Sequence, residues 1–139
     1  MYQMQYEVKE SDIQPVYCHV NHARIVTFME TARLGMLESI GFPNDRLIEM
    51  GFASVIVRLE IDYKREVKQG PVTFTCEDMR VEGKTLLLRQ RIINDRGKDA
   101  VVAEAQLKFL SPTLKRAVPP PPEFCEALKG RSAELQFRT

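Results

Sequence analysis

The chain has 139 residues, with 20 Lys and Arg against 19 Asp and Glu, 44% hydrophobic residues and 28% charged ones. That length predicts one domain over residues 1–139, and the apolar content excludes a disordered chain. A formal charge of +1 argues against a nucleic-acid or anionic-membrane partner, and no run of about 18 apolar residues is present to span a bilayer.

Tyr2 to Lys9 alternates, with Tyr2, Met4, Tyr6 and Val8 on one side, and reads as a first strand. This polar, alternating start resembles neither a signal nor a transit peptide, so a cytoplasmic protein is expected. Glu10 to His22 reads as an ordered loop. From Ala23 the period changes: Ile25, Phe28, Met29, Ala32, Met36 and Ile40 form one apolar face of a long helix. Asn21 is the expected N-cap and Gly41 the C-terminal stop. A short helix over Asp45 to Met50 follows.

Val55, Val57, Leu59, Ile61 and Tyr63 then alternate with Ser54, Arg58, Glu60 and Asp62 as a half-buried strand. Val72, Phe74 and Cys76 start another, which Met79 and Val81 continue out of step, predicting a bulge near Glu77-Asp78. Thr85 to Ile93 and Val101 to Leu110 are strands joined by the hairpin signal Asn94-Asp95-Arg96-Gly97. The domain core is expected over about residues 2–112. A tail over 113–139 carries Pro119 to Pro122 across the surface and one helical turn at Cys125 to Lys129. Cys18, Cys76 and Cys125 make an odd count without metal spacing, which suggests reduced thiols and no metal site.

The order predicts an α+β fold: one long central helix against a five-stranded antiparallel sheet. The strand at Thr85 to Ile93 is apolar on both faces, with Leu86, Leu88 and Ile92 on one and Leu87 and Ile93 on the other. A second subunit is expected to cover the outer face.

The segment from Ser11 to Arg24 carries the chemistry. It sets Asp12, Gln14, His19, Asn21 and His22 just before a helix start, where free N–H groups suit a developing oxyanion. Cys18 beside His19 is read as packed, since adjacent extended residues point apart. His22 is read as a polar surface or interface residue. Glu30 and Arg33 stand three apart on the helix, a spacing for an ion pair.

His19-Val20-Asn21-His22-Ala23-Arg24, followed by Phe28-Met29-Glu30-Thr31-Ala32-Arg33, resembles the 4-hydroxybenzoyl-CoA thioesterase-type hot-dog family over about Tyr6 to Leu110. The resemblance implies a helix wrapped by an antiparallel sheet, a homodimer or dimer of dimers, and an acyl-thioester bound at the subunit interface. It implies no metal or redox cofactor. The substrate would be acyl-CoA, with backbone N–H at Ala23 polarising the thioester carbonyl. Gln14 stands where the family carries its usual catalytic acid, and it cannot act as a base. Asp12 matches only the first acid of the family motif.

Plant acyl-ACP thioesterases offer a second resemblance, through His-Val-Asn and through Tyr63-Lys64-Arg65-Glu66. That match assigns catalytic roles to His19 and Glu66 and implies acyl-ACP as the alternative substrate. Candidate catalytic residues are thus His19, Glu66, Asp12 and Glu30, with Gln14, Asn21, His22 and Ala23 binding substrate. Arg58, Lys64, Arg65, Arg89 and Arg91 form a candidate basic rim for CoA phosphates or for an acidic carrier protein; Met29, Met36 and Phe28 are core-like, and outer Met residues are candidates to line an acyl tunnel. A non-catalytic acyl-CoA-binding protein of the same fold is the rival, kept open by Gln14.

Overall fold

A computed structural model describes the backbone of residues 1–137 and the side chains of residues 1–130. β1 (Tyr2–Val8) leads through a 3-10 turn at Glu10–Asp12 to a two-residue ladder, β2 (Ile13–Gln14) with β3 (His19–Val20). Next come α1 (His22–Ser39), α2 (Asn44–Glu49), β4 (Ala53–Tyr63) and β5 (Gly70–Glu82). β6 (Thr85–Ile93), β7 (Asp99–Ser111), β8 (Arg116–Val118) and α3 (Pro122–Phe137) follow.

α1 forms where its periodicity placed it. Asn21 Oδ1 accepts the Ala23 amide at 2.8 Å, which satisfies one open donor of the first turn. At the other end Gly41 adopts φ 86°, its amide donating to Glu38 O at 3.0 Å while Phe42 donates to Leu37 O at 2.9 Å. That pair of bonds closes a helix through a left-handed residue, a conformation glycine adopts without Cβ strain. Gly35 costs the helix about 1 kcal/mol in propensity relative to Ala. A Cβ at Gly35 would collide with the Tyr2 hydroxyl, which explains its presence.

The sheet runs β1-β5-β6-β7-β4, antiparallel throughout, with β8 pairing the end of β7. Its inner face packs on α1 through Phe74, Cys76, Leu88, Ile92, Ala103 and Ala105, all fully buried with Phe28, Met29 and Met36. Tyr6 stacks on Phe74 at 5.0 Å and lies 5.0 Å from Phe28. A long helix against one face of an antiparallel sheet is the expected hot-dog arrangement.

Four details differ from the sequence reading or refine it. The bulge in β5 falls where the pattern slipped, with Asp78 at φ 51° and a register shift between Glu77 and Arg80. A second bulge, between Ile56 and Arg58, was not expected. It puts Ile56, opposite buried Leu107, in phase with Leu59 and Ile61, and moves Val55 to the face of Lys108. The outer sheet face is an ionic surface rather than an apolar one. There Arg91 holds Glu77 through both Nε and Nη2 and Asp99 through Nη1, with Leu87 and Ile93 half-buried nearby. Exposed apolar side chains gather instead on β4, at Ile56, Val57 and Tyr63.

The core does not stop near residue 112. Pro120 and Pro121 are buried, and Phe124 of α3 sits 5.6 Å from the Phe42 ring and 5.0 Å from Phe109. The expected helical turn is part of a 16-residue helix.

Candidate active site

The β2–β3 ladder pairs Ile13 with Val20 and Gln14 with His19. Its turn closes through the Tyr17 and Cys18 amides, which donate to Gln14 O at 3.2 and 3.0 Å, and Cys18 takes φ 58°. The Val20 amide then donates to Val67 O at 2.8 Å, tying this loop to the segment after β4. That segment is fixed in turn by the Lys64 and Arg65 amides, which donate to Ala100 O at 2.9 and 3.0 Å. Between the two segments lies a cavity of about 650 Å³. Gln14, Tyr17, His19, Asn21 and His22 line one side and Tyr63, Lys64, Arg65 and Glu66 another, with Val20, Ile25, Val67 and Val101 supplying apolar wall.

The polar groups here are oriented by their partners. His19 Nδ1 lies 3.0 Å from Val20 O. A carbonyl only accepts, so Nδ1 carries a proton, and of the two neutral tautomers this bond selects the one with its lone pair on Nε2, the arrangement of a base. Asn21 bridges two neighbours: Nδ2 donates to Gln14 Oε1 at 2.9 Å while Oδ1 caps Ala23. With its oxygen engaged, Gln14 retains both Nε2 N–H groups as donors. The Ala23 amide is therefore not available to a substrate, contrary to expectation, because the Asn21 cap occupies it. Arg24 and Ile25 amides donate to Asn21 O, which leaves the His22 amide without an acceptor among the described residues. Tyr63 Oη donates to His22 O at 3.0 Å and so locks the helix start to the end of β4.

The three candidate carboxylates separate. Glu66 lines the cavity and is exposed. Asp12 is buried and outside the lining, with Oδ1 accepting from Arg24 Nε and Nη2 at 3.0 and 2.9 Å. Its Oδ2 accepts the Lys9 amide at 3.0 Å and Tyr6 Oη at 3.1 Å. Burial pushes the Asp12 carboxyl up, but the Lys9 amide, Arg24 and Tyr6 outweigh it and hold it below its ordinary value. An anion so fully bonded braces the loop against β1 and α1. Glu30 is exposed on α1, outside the cavity lining. The expected Glu30–Arg33 ion pair is not formed, because Arg33 turns into the core and donates to Gln90 Oε1 at 3.1 Å.

Other sequence candidates are also sorted. Lys64 and Arg65 do line the cavity. Arg91 is committed to Glu77 and Asp99 and Arg58 to Glu60 on the outer sheet face, so they form no rim. Arg89 shares that outer face, opposite Glu104. Met29 and Met36 are fully buried core and line neither described cavity. Cys18 is exposed and outside the lining. Tyr63 and Tyr17 were not anticipated as site residues; the four-residue match at Tyr63 to Glu66 was the available signal for the first. Among the described residues no helix is long and apolar enough to cross a membrane.

The sequence model of the thioesterase superfamily matches residues 17–101, the span holding most of this cavity's lining. The chain belongs to that superfamily. Within it, the chain is 35% identical over 104 residues to the long-chain acyl-CoA thioesterase FadM of Escherichia coli (strain K12), covering 72% of this chain and 75% of that one. Among solved structures, a Staphylococcus aureus protein in complex with CoA superposes with TM-score 0.85 at 16% identity, over 92% of this chain and 81% of that chain. A Lactobacillus plantarum protein described as 'oleoyl thioesterase (putative)' gives TM-score 0.84 at 16% identity. This chain spans 49% of that protein's length and is itself covered over 91%. These structural likenesses bear on the fold and agree with the hot-dog arrangement.

Proposed function

We propose that the protein hydrolyses acyl-CoA thioesters to a carboxylic acid and free CoA. One observation carries the reading: a base-ready His19, an amide donor on Gln14 and the exposed Glu66 line the same cavity at the start of α1. The similarity to an acyl-CoA thioesterase supports the choice of carrier.

In this reading the thioester carbonyl sits between Gln14 Nε2 and the free His22 amide at the positive end of the helix. Both are donors suited to the oxyanion that forms. His19 Nε2 takes a proton from water as the water oxygen bonds to the carbonyl carbon. Collapse of the tetrahedral intermediate breaks the C–S bond, and the imidazolium returns its proton to the leaving thiolate. Glu66 orients the water or balances the imidazolium charge. Asp12 braces the loop, and Glu30 has no part in a site built from one chain.

A second copy of the chain completes the assembly. β4 pairs with β7 on one side only and offers an 11-residue edge bearing Ile56, Val57 and Tyr63. An open edge of this length is normally blocked or paired. Pairing two β4 edges would set Tyr63, and with it the cavity, beside the second subunit.

The test is thiol release from a panel of short, medium, long and aromatic acyl-CoAs. Turnover on any member supports the enzyme. Binding without turnover would instead favour an acyl-CoA-binding protein, and silence on both counts would move the choice to acyl-ACP.

A further inference from the structure

A second groove of about 470 Å³ opens beside the cavity and shares Arg65, Glu66 and Val67 with it. Lys68 and Gln69 continue this wall, and the β6–β7 hairpin faces it through Asn94, Asp95 and Arg96. Three cations from two separate segments therefore converge on one groove, against two carboxylates, Glu66 and Asp95. Neither Lys68 nor Arg96 belongs to an ion pair among the described residues.

The groove is built on fixed backbone. Asn94 Oδ1 accepts the Arg96 and Lys98 amides at 3.0 and 2.9 Å, and the Asn94 amide donates to Lys98 O at 2.9 Å. That turn fixes the backbone of the hairpin tip from which the exposed Arg96 side chain projects. Across from it, Arg65 Nη1 donates to Asp99 O at 2.6 Å, which leaves the other N–H groups of the guanidinium for a ligand.

We infer that this groove binds the phosphates of the CoA nucleotide while the thioester occupies the adjoining cavity. The inference rests on the acyl-CoA reading and deepens it by naming where the carrier's charge is held. Guanidinium forks match phosphate oxygens, and ammonium groups add point charge. A shared wall at Arg65 to Val67 lets one extended molecule occupy both spaces. Asp95 opposes the cations, so removing its charge strengthens anion binding. Nonspecific damage to the groove would not produce that sign.

The experiment compares one acyl group carried on CoA, on 3′-dephospho-CoA and on pantetheine, reading kcat/KM for each. The CoA ester is expected to be the best of the three. Arg96→Glu, and Lys68→Ala with Arg96→Ala together, lower the CoA-to-pantetheine ratio about tenfold or more, the worth of a charge-assisted bond or two. Asp95→Asn raises that ratio, and added salt lowers it. Equal kcat/KM on all three esters, or a ratio indifferent to these variants, overturns the phosphate site while leaving thioester hydrolysis intact. No turnover of any ester overturns the acyl-CoA reading, and this inference with it.

Discussion

Asn21 Nδ2 donates to Gln14 Oε1 at 2.9 Å, and that single bond decides which end of the Gln14 amide serves the cavity. At the position where the family carries an acid, this chain therefore presents a fixed donor. Gln14→Leu is expected to lower kcat about 10²-fold, the usual cost of one oxyanion donor. Gln14→Glu should be as damaging, because a carboxylate offers no N–H. Steady-state kinetics decide: a Gln14→Glu enzyme as fast as wild type would refute the donor role. Asn21→Ala additionally removes the helix cap, and urea unfolding should register a loss of about 1 kcal/mol.

His19 is the one imidazole in the cavity with its Nδ1 proton committed to a backbone carbonyl. His19→Ala should lose 10²-fold or more in kcat, in the range of general-base contributions, with a folded circular-dichroism spectrum. Glu66→Gln should cost less. A His19→Ala enzyme retaining full activity would remove the proposed base.

The Asp12 carboxyl is held below its ordinary value, so its contribution to stability has a definite pH window. In the unfolded chain the group titrates at about 3.9. Its stabilisation is fully present above that value and is lost as pH falls through the lower folded value. Glu77, held down by Arg91 and Thr75 against its own burial, acts in the same direction. Asp12→Asn should cost about 2 kcal/mol at neutral pH, since charged hydrogen bonds are replaced by fewer neutral ones. In urea melts of both proteins from pH 7 to pH 2, the gap between them should hold down to about pH 4 and narrow below it. A constant gap across that range would refute the assignment.

Ile56 and Val57 are 44% and 49% exposed on the open edge. Ile56→Lys with Val57→Lys places two charges where a second β4 would pair. Sedimentation velocity should then report a monomer for the variant and a dimer for wild type. A monomeric wild type would refute the paired edge.

Phe124 is fully buried between Phe42 and Phe109. Phe124→Ala should therefore destabilise by about 3 kcal/mol, as large-to-small core changes do. Chemical denaturation measures it, and a loss under about 1 kcal/mol would show that the core does without α3.

Features carried by local chemistry were legible in the sequence. The α1 stripe, the Asn21 cap, the Gly41 stop and the β5 bulge each rest on a few neighbouring residues, and each stands where its pattern put it. Features that depend on distant partners were not. The β4 bulge changes the phase of a strand whose alternation looked unbroken, and only its register with β7 reveals it. Arg89 and Arg91 do share a face, as spacing required, but which face needs the packing of Leu88 and Gln90. The Asp12 brace and the Arg33–Gln90 bond join residues 12 and 57 positions apart, beyond any local motif. α3 was underestimated because its anchors, Phe42 and Phe109, come from α2's approach and β7.

Sheet order also sets a timetable for synthesis. β1 leaves the ribosome well before its partner β5, with Gln5 and Thr73 bonding across 68 positions. Until β5 appears, Tyr2, Met4 and Tyr6 have no strand to lie against, and α1 lacks the three central strands β5, β6 and β7 of the sheet it packs on. Such long-range closure slows folding and leaves apolar surface open to other chains. Expression at lower temperature, or with slower elongation before β5, should raise the soluble yield for this reason.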